Sequence, residues 1–254
     1  MASTRSSLRT RWADGAETLG AWLTLPSTAA AEIVARLDVD YVCVDLQHGL
    51  VDGSDLLQLV QAIELAGGLP IARAPWNEPG AIGRILDAGC HGVIVPMVNS
   101  VEEAAAAVAA GSYPPSGRRS WGPMLVAGRH DDYRPWADGN VTVIPMIETV
   151  EALEALDGIC ALDGVRAVYV GPSDLAISLG LGPSGNDGHP VFDAALARVV
   201  ETCRRHGVVP GVHSDAATAD RRRSQGFRMI TVAADVAVLA AGMAEAVRQA
   251  QPPG

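Results

Sequence analysis

Residues 41–74 contain three successive patterns: Tyr41-Val42-Cys43-Val44-Asp45-Leu46-Gln47-His48-Gly49, then Asp55-Leu56-Leu57-Gln58-Leu59-Val60-Gln61-Ala62-Ile63-Glu64-Leu65-Ala66, then Pro70-Ile71-Ala72-Arg73-Ala74. The first opens with an apolar run that does not alternate with polar residues, as expected of a strand covered on both faces. The second sets Leu56, Leu59, Val60 and Ile63 on one face at a 3.6-residue period and predicts a helix over 55–66. Asp52 or Ser54 is positioned to cap its start, and Gly67-Gly68 to stop it. The third is another strand. Strand, helix and strand in this order imply a parallel pair joined by a right-handed crossover.

Working outward, the same alternation runs along the whole chain. Strands are expected over 18–25, 41–46, 70–74, 92–97, 141–147, 167–171, 208–212 and 229–233. Eight apolar strands separated by helical patterns predict an α/β fold, the closed (β/α)8 TIM barrel, occupying 1–254 as one domain. Residues 1–12 are read as a leading N-terminal helix. A doubly wound open sheet is the competing architecture, but the first β-to-α turn lacks the GxGxxG of a dinucleotide site. One long irregular segment, 111–140, is expected to serve as a lid or subunit contact.

Composition narrows the chemistry. Lysine is absent from the 254 residues; all 19 basic residues are arginine. Schiff-base aldolase and pyridoxal phosphate (PLP) mechanisms, both of which require a lysine imine, are therefore excluded. The net charge of −10 disfavours nucleic acid as a partner. Arg221-Arg222-Arg223 is expected to be a solvated helix face. Cys43, Cys90, Cys160 and Cys203 form no CxxC pair and fit reduced, buried thiols. Without a long apolar run or a signal-peptide core, a cytoplasmic protein that does not enter a membrane is expected.

In such barrels chemistry sits at the carboxyl ends of the strands. Those ends carry Asp45, Gln47 and His48, then Arg73, Glu148, the run Gly171-Pro172-Ser173-Asp174, and His213. Each admits a plainer role: His48 and His213 as hydrogen-bonded surface rings, Arg73 as a structural ion-pair partner, Asp174 as an acid favoured in a first helical turn. Glu148 closes a hydrophobic strand, where a carboxylate must be paired or hold a metal.

Several segments together carry a resemblance. They are Leu19-Gly20-Ala21-Trp22, Asp45 to Gly49, Arg73 with Trp76-Asn77-Glu78-Pro79, and Val95-Pro96-Met97-Val98. Tyr113-Pro114-Pro115-Ser116-Gly117-Arg118, Ile147-Glu148-Thr149 and Gly171-Pro172-Ser173-Asp174-Leu175 complete the set. In this order the sequence resembles the HpcH/HpaI family of class II aldolases. The resemblance implies a TIM barrel whose eighth helix is exchanged between subunits, with dimers building a homo-oligomeric hexamer. It implies a lyase that cleaves a 4-hydroxy-2-oxo acid to pyruvate, or a related 2-oxo acid, and an aldehyde. Glu148 and Asp174 would bind Mg²⁺, Mn²⁺ or Co²⁺, and Arg73 would stabilise the enolate oxygen. Backbone amides at Gly171 and Ser173 would take the substrate carboxylate. His48 would act as acid and base, oriented by Asp87 or Asp45, with Trp22, Gln47 and His213 also at the substrate. The alternatives are another use of the same enolate, citrate synthase-like or acyl-CoA lyase, or a non-catalytic metabolite-binding protein. Three departures stand out: Gln47 where the family usually has Glu, Met146 where it commonly has Gln, and His213 where many members are apolar.

Overall fold

Eight parallel strands close into a barrel in sequence order. They are β1 (Thr18–Leu23), β2 (Tyr41–Asp45), β3 (Pro70–Arg73), β4 (Gly92–Val95), β5 (Thr142–Ile147), β6 (Ala167–Val170), β7 (Val209–His213) and β8 (Met229–Ala234). The computed structural model describes residues 6–251; the first five residues of the expected leading helix lie outside them. Helix α1 (Leu8–Ala13) precedes the barrel, and α2 (Thr28–Ala35), α3 (Leu56–Leu65), α4 (Pro79–Asp87) and α5 (Val101–Gly111) follow the first four strands. Next come α6 (Tyr133–Asn140), α7 (Val150–Ala161), α8 (Pro172–Ser178), α9 (Pro190–His206), α10 (Ala219–Gln225) and α11 (Asp235–Ala250).

The uninterrupted apolar strands reflect two cores. Val42, Val44, Val168 and Val170 pack with the helix layer, whereas Tyr41, Cys43, Ala167 and Tyr169 join Ile71, Ile94, Ile144 and Met229 inside the barrel. Both faces of each strand are thus dry, so alternation in the sequence is lost. Leu8 and Trp12 of α1 belong to the inner core, and Trp12 Nε1 donates to Thr18 Oγ1 at 3.1 Å. In the barrel centre the Tyr41 and Tyr169 hydroxyls meet Thr231 Oγ1 at 2.9 and 2.6 Å. A Cβ on Gly20 would lie 2.0 Å from the Tyr41 ring, so only glycine lets that ring occupy the interior.

Three local expectations are corrected. Helix α3 has no side-chain cap; Asp52 instead accepts from the Ser54 and Asp55 amides and closes a separate turn. The segment 111–140 is partly helical, with a 3-10 turn at Val126–Arg129 followed by α6. Its Tyr113, Val126, Tyr133 and Ala137 bury one another in a satellite core. Arg221–Arg223 is not a bare solvated face: Arg222 is 5% exposed and bonds Asp187 and Gln225. Arg221 pairs with Asp193 and Arg223 with Glu17, because the acidic chain supplies carboxylates to meet them.

The four cysteines are buried and free, as expected. Among the described residues no helix is long and apolar enough to cross a membrane. Helix α11 is unusual in burying none of its residues. Its Val236, Val238, Leu239, Met243 and Val247 are all exposed in the single chain.

Candidate active site

A cavity of about 270 Å³ opens at the carboxyl ends of the strands. The pairing of β2 with β3 sets Asp45 directly beside Arg73 at its rim. Asp45 is 2% exposed. Its Oδ1 accepts from Arg73 Nε at 2.9 Å and from the Gln47 and His48 amides at 3.0 and 3.3 Å. Its Oδ2 accepts from Arg73 Nη2 at 2.6 Å and Trp22 Nε1 at 3.1 Å. Burial pushes the Asp45 carboxyl up, but the Arg73 hydrogen bonds and charge outweigh it and hold it below the usual range. Burial likewise lowers Arg73, and Asp45 more than restores it. The pair is therefore ionised and fixed.

Removing one partner of a buried ion pair leaves the other charge uncompensated, at a cost of about 3–5 kcal/mol. Asp45→Asn is expected to destabilise the fold by that order at pH 7, measured by urea unfolding. A carboxylate with a depressed pKa stabilises above its unfolded pKa and loses that contribution as pH falls through the folded value. The gap between wild type and Asp45→Asn should accordingly narrow below about pH 4. A gap unchanged from pH 7 to pH 3 would show that Asp45 is not the charged partner.

Around this clamp the aromatic residues are layered. The Arg73 guanidinium lies 5.2 Å from the Trp22 ring centre. Trp22 stacks on Tyr169 at 5.9 Å and meets His213 edge-on at 4.9 Å. The Tyr169 ring is held from below through its hydroxyl on Thr231. Burial first, then the charge of Arg73, pushes the His213 imidazole down to about 4, so the ring is neutral near pH 7.

Glu148, 2% exposed, immediately follows β5. Its Oε1 accepts from the Met97 amide at 2.7 Å. Met97 takes a φ of +53°, a left-handed conformation uncommon for a non-glycine residue, in the turn after β4. Gly171 packs against the other oxygen: a Cβ there would lie 2.3 Å from Glu148 Oε2. Glycine at the end of β6 is thus what lets the carboxylate sit in the cavity. Burial and the charge of Asp174 raise the Glu148 carboxyl, and the Met97 amide and Arg73 only partly oppose them.

Asp174, exposed in the first turn of α8, lines the same cavity with Ser173 and His48. Two carboxylates that repel each other in one cavity fit a hard divalent cation. Among the described residues no group of three or more His, Cys, Asp or Glu is assembled for a metal. Glu148 and Asp174 would therefore leave most coordination positions to substrate and water.

The structure brings together His48, Arg73, Glu148, Asp174, Gly171, Ser173, His213 and Trp22. It does not bring in Gln47 or Asp87. Gln47 contributes its amide to Asp45, while its side-chain oxygen is buried without a partner outside the cavity. Asp87, at the end of α4, accepts from Arg119 Nη2 at 2.6 Å and faces a different, apolar surface cavity with Leu46, Val51 and Met124. Within this chain Asp45, not Asp87, is tied to the His48 turn. Thr24 and Tyr169 also line the cavity, although nothing in the sequence around them marks either as a site residue. Thr24 is fixed by Asp235, which accepts from its amide and hydroxyl.

The family model described as HpcH/HpaI aldolase/citrate lyase matches residues 18–241. The chain belongs to this family. It is 37% identical over 248 residues to a hydroxypyruvate/pyruvate aldolase of Rhizorhabdus wittichii, covering 97% of this chain and 99% of the relative. It is 35% identical to a 4-hydroxy-2-oxo-heptane-1,7-dioate aldolase of Salmonella arizonae, with 90% and 88% covered. The crystal structure of an HpcH/HpaI family protein from Burkholderia cenocepacia superposes with a TM-score of 0.89 at 34% identity, over 95% of this chain and 98% of the other. As a member of the HpcH/HpaI family, the chain is a carbon–carbon lyase of the class II aldolase type.

Proposed function

We propose that this aldolase cleaves a 4-hydroxy-2-oxo acid to pyruvate and an aldehyde with the help of a divalent cation held by Glu148 and Asp174. The observation that carries this reading is one cavity shared by those two carboxylates, the clamped Arg73 and His48. The cation, Mg²⁺, Mn²⁺ or Co²⁺, would supply Lewis acidity to the 2-oxo group. Arg73, unable to swing away from Asp45, offers preorganised positive charge to the oxygen that becomes an enolate. His48 takes the proton from the C4 hydroxyl as the C3–C4 bond breaks, and the aldehyde leaves. Protonation of the enolate at C3 then gives pyruvate. The Ser173 side of the cavity receives the substrate carboxylate.

Exchange of pyruvate methyl protons in deuterated water tests this without knowledge of the aldehyde. Exchange should require Mg²⁺ or Mn²⁺, and borohydride with pyruvate should trap no adduct, since the chain has no lysine. Full exchange after exhaustive chelation would reject the reading.

His213 is assigned to the aldehyde side. A neutral imidazole edge-on to Trp22 offers one polar contact where an aliphatic residue offers none. Loss of such a contact costs about 1–3 kcal/mol, or roughly 5- to 150-fold in discrimination. His213→Leu is expected to shift kcat/KM by that factor from hydroxylated towards aliphatic aldehydes, with pyruvate exchange almost unchanged. If exchange stops instead, His213 belongs to the enolising machinery and His48 loses its assignment as the base.

The exposed apolar face of α11 is assigned to contact with a second copy of the chain, as in an assembly that exchanges this helix. Leu239→Asp should then lower the mass in solution by light scattering. An unchanged mass would remove α11 from the interface.

A further inference from the structure

The opposite end of the barrel holds a second cavity, of about 240 Å³ and partly open to solvent, with Arg9, Ser112, Ser116 and Arg166 in its wall. It lies beneath the amino ends of two strands: Val141 precedes β5, and Arg166 precedes β6. Arg9 reaches it from α1. Its Nη1 donates to the backbone carbonyls of Asp138 at 2.6 Å and Val141 at 3.4 Å, so carbonyl dipoles rather than a carboxylate hold the guanidinium. Arg166 pairs only loosely, at 3.6 Å, with Asp163, whose carboxylate stands fully in solvent. The Asp138 carboxylate in the same wall is engaged by Arg134 at 2.9 Å. Burial, followed by the charge of Arg166, lowers the pKa of Arg9, while Asp138 only partly offsets them. Two guanidinium groups thus line a cavity whose carboxylates are Asp138, engaged by Arg134, and Asp163, 3.6 Å from Arg166.

We propose that this cavity is an anion site, distinct from the catalytic cavity, that holds a small oxyanion between Arg9 and Arg166. Guanidinium forks match the paired oxygens of phosphate and carboxylate, and charge-assisted hydrogen bonds to them are the strong ones. The Ser112 and Ser116 hydroxyls add neutral donors. The volume admits inorganic phosphate or a short dicarboxylate. The two strands that start here are the ones that end at Glu148 and Gly171, so the occupant would lie beneath the carboxylate pair without touching it.

Isothermal titration of the full chain with inorganic phosphate, and separately with succinate, at ionic strength matched by sodium chloride, tests the site. Whichever anion binds identifies the source of the oxyanion. Loss of one charged hydrogen-bonding partner should weaken binding roughly 10- to 100-fold in Arg166→Gln, a half-exposed position whose replacement leaves the core intact. Arg9→Gln should act in the same direction. Arg73→Lys, in the other cavity, should leave this affinity unchanged. Failure of both anions to bind wild type at millimolar concentration would overturn the proposal. So would an affinity that is insensitive to Arg166→Gln but lost in Arg73→Lys.

Discussion

Glu148→Ala and Asp174→Ala should each abolish metal-dependent exchange of pyruvate methyl protons. No third carboxylate or histidine is grouped with them among the described residues, so removing either leaves one protein ligand. A hard divalent ion held through one carboxylate would be lost to solvent at ordinary concentrations. The effect should appear in binding as well as in rate: Mn²⁺ affinity, read by electron paramagnetic resonance, should disappear with exchange. Glu148→Gln separates charge from shape, since the amide keeps an acceptor for the Met97 amide at the 2.7 Å position. It should fold like wild type and still fail to bind Mn²⁺. Retention of tight Mn²⁺ binding in Glu148→Gln would remove this carboxylate from the ligand set.

The second large effect is expected at Arg73. Its Nε and Nη2 bridge both oxygens of Asp45, a planar fork-to-carboxylate contact that a lysine ammonium cannot reproduce. Arg73→Lys keeps the charge but loses its fixed position against Trp22. If that charge acts mainly on the developing enolate, kcat should fall by roughly two to three orders of magnitude. KM for the oxo acid should change much less. The opposite split, an unchanged kcat with a raised KM, would make Arg73 a binding residue.

The sequence alone was sufficient for the barrel. Strand formation and helix period are local properties, written in runs such as Val42-Cys43-Val44 and in the spacing of Leu56, Leu59, Val60 and Ile63. Counting eight such alternations placed His48, Arg73, Glu148, Asp174 and His213 at one end, because a parallel barrel points all carboxyl ends the same way. The absence of lysine by itself excludes imine chemistry.

Which partner each polar group takes was decided only by the tertiary structure. Asp45 became the hub because barrel register sets it beside Arg73, 28 positions away, and within reach of Trp22, 23 positions away. Asp87 looked equally available in the sequence, but the packing of 111–140 delivered buried Arg119 to it. The fit of Gly171 against Glu148, and the Met97 turn that supplies its amide, likewise need two strands to be brought side by side. Helix α11 shows the same dependence: only the structure shows that this chain leaves its apolar residues unburied. Periodicity is set by neighbours along the chain, whereas hydrogen-bond pairing and burial are set by neighbours in space, which are defined only once the barrel has closed.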